Sequence, residues 1–134
     1  VICMTDFDYS TFQNQVAKNL FRHSSILDLM AKSDETLARI HRAIARAVTE
    51  CGCISIQATK QDFSNHDSLS SLPQHSRSHV EGELCEQCID VLKNELGSHL
   101  FYIMSICNAL HISLDQVLEE ESQRLKTLGL FTLR

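Results

Sequence analysis

Helix breakers are almost missing from this chain of 134 residues, which has one proline, Pro73, and four glycines. So few breakers exclude a fold built from many tight turns and leave long stretches free to be helical. A positive balance is missing too. The formal net charge is −5, which excludes the broad basic field that a long nucleic acid requires. No apolar run approaches the roughly 20 residues that span a bilayer, so the sequence predicts no membrane segment. The opening Val1-Ile2-Cys3-Met4-Thr5-Asp6-Phe7 lacks the basic and apolar regions of a secretion signal, and the expectation is a cytoplasmic protein. In that compartment the six cysteines read as thiols or ligands before they read as disulfides.

What is present is an ordinary globular balance, 43% apolar and 22% charged, in a length that suits one domain. Three segments fit the capping-box pattern: Ser10 with Gln13, Ser78 with Glu81, and Ser113 with Gln116. A further cap is expected at Ser33 or Asp34. The spacing predicts a first helix over Thr11–Met30, turning Phe12, Val16, Leu20, Ile26, Leu27 and Met30 inward. A second starts near Asp34, with Leu37, Ile40, Ile44, Val48 and Cys51 as its apolar stripe, continued by Ile54 and Ala58. Residues 62–77 are serine-rich, hold the proline and read as a connecting loop within one domain, 1–134. The third helix is expected over His79–Leu110, with Gly97 as a candidate kink, and the fourth over Leu114–Leu128. The fold class is therefore all-α, an antiparallel four-helix bundle. Helices this long and apolar in a short chain predict a homo-oligomer.

Two segments carry the chemistry-bearing residues, Thr49-Glu50-Cys51-Gly52-Cys53 and Asn94-Glu95-Leu96-Gly97-Ser98-His99. On helices, Glu50 and Cys53 share a face with Arg46 and Gln57, whereas Cys88, Leu92, Glu95, His99 and Tyr102 follow one row. Arg39, Arg42 and Arg46 form a local basic cluster suited to a small anionic ligand.

From Ala45 to Lys126 the chain resembles the MazG-like all-α nucleoside triphosphate pyrophosphohydrolases. The resemblance rests on Glu95-Leu96-Gly97-Ser98-His99-Leu100-Phe101-Tyr102-Ile103, on Asn108-Ala109-Leu110-His111-Ile112-Ser113-Leu114-Asp115, and on Glu50-Cys51-Gly52-Cys53. It implies a nucleoside triphosphate as ligand and two antiparallel helices whose carboxylates hold Mg²⁺ or Mn²⁺, polarising the triphosphate and generating a nucleophilic water. Glu50 and Glu95 fall at catalytic positions of that pattern. The chain departs from it at Cys53 and Ser98, where the family has acids, and at Glu120 and Arg124, where it has a lysine and an asparagine. A thiol is a poor ligand for hard Mg²⁺, and an acid near a phosphate is repulsive. The resemblance thus predicts a divergent member with weakened or lost hydrolysis.

The cysteines offer a second reading. Cys51-x-Cys53 and Cys85-x-x-Cys88 are two close pairs, and four thiolates suit tetrahedral Zn²⁺ or an iron–sulfur cluster. With Glu50 facing Ser98 and Cys53 facing Glu95, however, Cys88 falls near Lys60, and Cys53 and Cys88 are expected about 10 Å apart. A mixed zinc site from Glu50, Cys53, Glu95 and His99 needs no such displacement. Cys85 and Cys88 are expected about two turns inside a helix, beyond the reach of its dipole. Cys51 and Cys107 read as small core hydrophobes.

Overall fold

A computed structural model of the protein describes residues 7–62 and 76–129. Pro73, Cys3, most of the 62–77 loop and the apolar ending after Gly129 lie outside the described residues. The described chain is mostly helical, with four helices and a two-stranded sheet. No helix among the described residues is long and apolar enough to cross a membrane.

Helix α1 spans Tyr9–Asn19. Its cap is Asp8 and not Ser10: the Asp8 carboxylate accepts from the Thr11 N–H at 2.6 Å. That same backbone N–H holds the Asp8 carboxyl below its ordinary range. The helix expected to run on to Met30 stops at Asn19, and the chain turns through Leu20–Ser25 with His23 in the left-handed region at φ 56°. Ser25 then caps α2, Ile26–Arg46, accepting from the Leu27 N–H at 3.3 Å. Ser33 and Asp34, expected as caps, lie inside this helix. Pattern alone did not separate the two because Ile26, Leu27 and Met30 extend either helix at the same spacing.

The inward face of α2 is Leu29, Thr36, Ile40 and Ala47. Leu27, Met30, Leu37 and Ile44, expected inside, are exposed. With Ile40 belonging to both, the true face lies about 60° around the helix from the expected one. It includes a threonine whose hydroxyl, bonded to the Lys32 and Ser33 carbonyls at 3.0 Å each, makes burial tolerable.

After α2 the chain widens into a π-helical turn, Ala47–Cys51, and stops at Gly52, whose φ of 75° no β-carbon favours. The helix expected to continue to Ala58 is instead strand β1, Ile54–Ile56, paired antiparallel with β2, Val80–Gly82. The register is Ile54 opposite Gly82, Ser55 opposite Glu81 and Ile56 opposite Val80. The β-branched run Ile54-Ser55-Ile56 favours this pairing. Ser78 to Glu81 is therefore not a capping box. Helix α3 spans Glu86–Ala109, starting seven residues later than expected, with Cys85 at its N-cap and Gly97 inside a continuous helix. Helix α4 spans Leu114–Thr127, and its Ser113 cap agrees with the sequence, accepting from the Gln116 N–H at 3.5 Å.

Helices α2 and α3 form the central antiparallel pair. Thr36 Oγ1 meets His99 Nδ1 at 2.9 Å midway along the pair, and Cys51 meets Cys85 at one end. Helix α1 packs on α3 and α4. Gln13 fastens it to the α3–α4 turn, bonding the Asn108 side chain at 2.9 Å, the Ile112 carbonyl at 2.8 Å and the Leu114 N–H at 3.0 Å. The deepest core is small: Val16, Leu29, Ile40, Ala47, Ile54 and Met104.

The two positive-φ glycines near the sheet separate backbone strain from crowding. A β-carbon on Gly52 meets nothing within 4 Å, whereas one on Gly82 lies 2.6 Å from the Cys53 carbonyl oxygen. Gly52→Ala is expected to cost about 1–2 kcal/mol from the left-handed backbone alone. Gly82→Ala is expected to cost more, because it also forces β1 and β2 apart. Urea unfolding of both variants under identical metal-free conditions checks the order.

Candidate metal centre

Four thiols converge where α2 ends, the sheet begins and α3 starts. The Sγ atoms of Cys51, Cys53, Cys85 and Cys88 all lie within 4.8 Å of one another. Among the described residues this is the one group of three or more histidine, cysteine or acidic side chains placed to share an ion. The expected separation of about 10 Å between Cys53 and Cys88 does not hold. That figure assumed two straight helices. The π turn and Gly52 end α2 before Cys53, and β2 delivers Cys85 at the very start of α3, so no helical rise separates the pairs.

The geometry suits a single tetrahedral ion. A zinc–thiolate bond of about 2.3 Å gives a tetrahedron with sulfurs about 3.8 Å apart. Cys51 Sγ and Cys85 Sγ are 3.8 Å apart. An iron–sulfur cluster interposes its own sulfides and spreads the cysteines wider, so one Zn²⁺ fits this spacing better. All four cysteines are free thiols, with Cys51 exposed and the other three half-buried. Cys51 is therefore not the core hydrophobe that its stripe position suggests. Cys107, half-buried on α3, lies outside the group.

Backbone dipoles prepare the sulfurs for a cation. Cys85 is the N-cap of α3, not a residue two turns inside it, and the Cys88 N–H lies in the first turn beside it. That N–H, with the Cys88 thiol, lowers the Cys85 pKa to about 7. Cys88 moves the opposite way, to about 12, because its neighbour Cys85 takes up the negative charge first. At Cys51 the Cys53 N–H is the largest single influence and favours the thiolate, but the Cys85 and Cys53 thiols and desolvation together outweigh it and the pKa is raised. Cys53 Sγ points to the Ala47 carbonyl at 3.9 Å. Without a cation the four sulfurs frustrate one another; with one, all four ionise together.

Beside the thiols lies a cavity of about 550 Å³ between α2 and α3. It is lined by Arg39, Arg42 and Arg46 on one wall, by Glu50 and Glu95, and by Cys51 and Cys88, which belong to the thiol group as well. Glu50 and Glu95 thus look into one cleft. Glu50 is held by Arg46 at 2.8 Å, and Arg39 by Glu35 at 3.1 Å. Arg42 has no ion-pair partner among the described residues. The mixed set of Glu50, Cys53, Glu95 and His99 is not gathered around one point. Cys53 turns to the other thiols, and His99 is bonded to Thr36. Ser98 opens on the other side of α3, in a second cavity with Lys93, Asn94 and Tyr102. Glu120 and Arg124 of α4 do not line the Arg39–Glu50 cleft, and Arg124 pairs with Glu121.

No protein-family model, curated protein or solved structure matches this chain. Its function has to be read from the site.

The split thiol pKa values make a direct expectation. In metal-free, reduced protein, alkylation at Cys85 should rise with pH through about 7, since the thiolate is the nucleophile. Cys88 should stay unreactive until far more alkaline pH. Mass-spectrometric mapping of iodoacetamide adducts against pH measures both. Equal rates at the two positions would contradict the N-cap assignment.

Proposed function

We propose that this chain is a zinc-binding regulatory or interaction protein on a divergent MazG-like helical scaffold. A four-thiolate ion at Cys51, Cys53, Cys85 and Cys88 ties the end of α2 to the start of α3. The observation that carries this reading is the convergence of four sulfurs from two separate pairs within 4.8 Å. The role of such an ion is structural. Four protein ligands close a tetrahedron and leave no open position for a substrate. The deepest core is small for the chain's length, and a bound ion adds stability that this core does not supply.

The adjoining cleft supports a second component of the same reading, a retained site for a phosphate-bearing ligand such as a nucleoside triphosphate. Three arginines face it, and planar guanidinium groups suit phosphate oxygens. Hydrolysis is a weaker reading. Two carboxylates remain, one of them engaged by Arg46, and the position of a third is taken by Cys53, a ligand of the zinc group. Mg²⁺ in near-octahedral oxygen coordination has too few ligands here.

Metal analysis of protein purified under reducing conditions should find one zinc per chain. Cys53→Ser and Cys88→Ser should each lose most of it and lower the unfolding midpoint; zinc content unchanged in both would end the thiolate reading. A visible absorption band and stoichiometric iron would replace zinc by iron. Separately, nucleoside triphosphates with Mg²⁺ or Mn²⁺ should yield no pyrophosphate above background but should bind, and Arg42→Ala should weaken that binding about tenfold. Pyrophosphate release abolished by Glu95→Gln would restore the enzyme.

A further inference from the structure

Helix α2 carries a second apolar stripe that the described residues leave exposed. Met30, Leu37 and Ile44 recur every seven residues and are 56%, 41% and 39% exposed, and Leu27 extends the row at 73%. From Leu27 to Ile44 the stripe runs about 26 Å. Seven-residue spacing over three positions is the seam of a helix that packs on another helix. The buried face of α2 already accounts for α3, so this seam has a different occupant.

The face is wider than one helix. Thr36 and His99 touch across the antiparallel α2–α3 pair, and the next residue on each is Leu37 and Leu100. One residue step turns about 100°, and in antiparallel neighbours the two rotations lead to the same side. Leu96 and Leu100, 45% and 54% exposed, therefore lie on the same side as Leu37. The arginines Arg39, Arg42 and Arg46 fall on the other side, with the cleft. The apolar face and the charged cleft are separate surfaces.

We infer that this face is the interface with a second copy of the chain, packed as antiparallel α2 helices about a two-fold axis beside Leu37 and Ala38. The register follows from the sequence of α2 and of the π turn that continues it. On one side of that axis Leu37 meets the partner's Leu37, and Met30 meets the partner's Ile44. On the other side Ala38 meets the partner's Ala38, and Ala31 meets the partner's Ala45, which lets the backbones approach closely. Along the centre line Asp34 comes opposite the partner's His41, and Leu27 opposite the partner's Val48. Each contact occurs twice, as a two-fold interface requires. Asp34 and His41 are both exposed, and neither has an ion-pair partner among the described residues. One axis pairs every apolar residue of the seam with an apolar residue and its acid with a hydrogen-bond donor. That self-complementarity singles out a second copy as the occupant. The zinc site is not part of this interface, so the inference stands or falls independently of it.

Sedimentation equilibrium of the zinc-loaded full chain tests the inference. A dimer is expected at about 100 µM, since interfaces of ordinary size hold at micromolar or tighter. Leu37→Lys, two copies of which meet at the axis, should raise the dissociation constant at least about 100-fold. Its helical circular dichroism and zinc content should match the wild type, which separates lost docking from lost folding. The register has its own test. His41→Asp sets like charges opposite Asp34 and should weaken the dimer about tenfold, and adding Asp34→Lys should restore it. A wild-type monomer at that concentration, as when the chain's own terminal segments cover the face, would overturn the inference. So would a dimer indifferent to Leu37→Lys, or a charge reversal that fails to rescue.

Discussion

The left-handed backbone at Gly52 is the constraint on which the rest of the molecule depends. An α-helix continued through this point would carry Cys53 along its axis, away from Cys88, and would consume the residues of β1. The π turn at Ala47–Cys51 followed by φ 75° stops the helix within one residue and reverses the chain. Cys51 and Cys53 then flank the turn and present their sulfurs to the same point. The strand that follows recruits β2, and β2 sets Cys85 at the start of α3. Two pairs of cysteines far apart in sequence meet because one residue has no side chain.

A division of labour follows between the middle of the α2–α3 pair and its cysteine end. Midway along the pair, the buried Thr36 hydroxyl and the half-buried His99 imidazole satisfy each other beside a modest apolar core. At the cysteine end there is little hydrophobic burial beyond Ala47 and Ile54. The thiol group sits at that weak end. A cation there would join two helix termini and a strand, each held otherwise by a few hydrogen bonds, and would make metal binding and local folding one event. The N–H groups of Cys53 and Cys88 that favour thiolates at Cys51 and Cys85 serve the same end, since they reduce the cost of gathering negative charge.

Cys51 and Cys88 belong both to the thiol group and to the wall of the arginine cleft. A zinc ion with four thiolates carries a net negative charge, and Arg39, Arg42 and Arg46 lie in the adjoining wall. The cleft is shaped by the same helix ends that a cation at the thiol group would hold together.

Much of the helical content was legible in the sequence because local rules govern it. The scarcity of breakers, the Ser113 cap and the 3.6-residue periodicity of Leu92, Leu96 and Ile103 each act over a few residues and require no partner. The two cysteine pairs were legible as candidate ligands by spacing, but not as one site. What the tertiary structure decided were the points where two local readings were equally good. Ile54-Ser55-Ile56 extends a helical stripe or makes a strand, and only pairing with Val80–Gly82 chooses. Ser78 with Glu81 fits a capping box, but that pairing takes its backbone into the sheet. Thr36 or Leu37 can face inward on α2, and the hydrogen bond to His99 selects the threonine. The meeting of four sulfurs, too, was decided in three dimensions, since distance along a chain says nothing of distance in space until the turn at Gly52 is made.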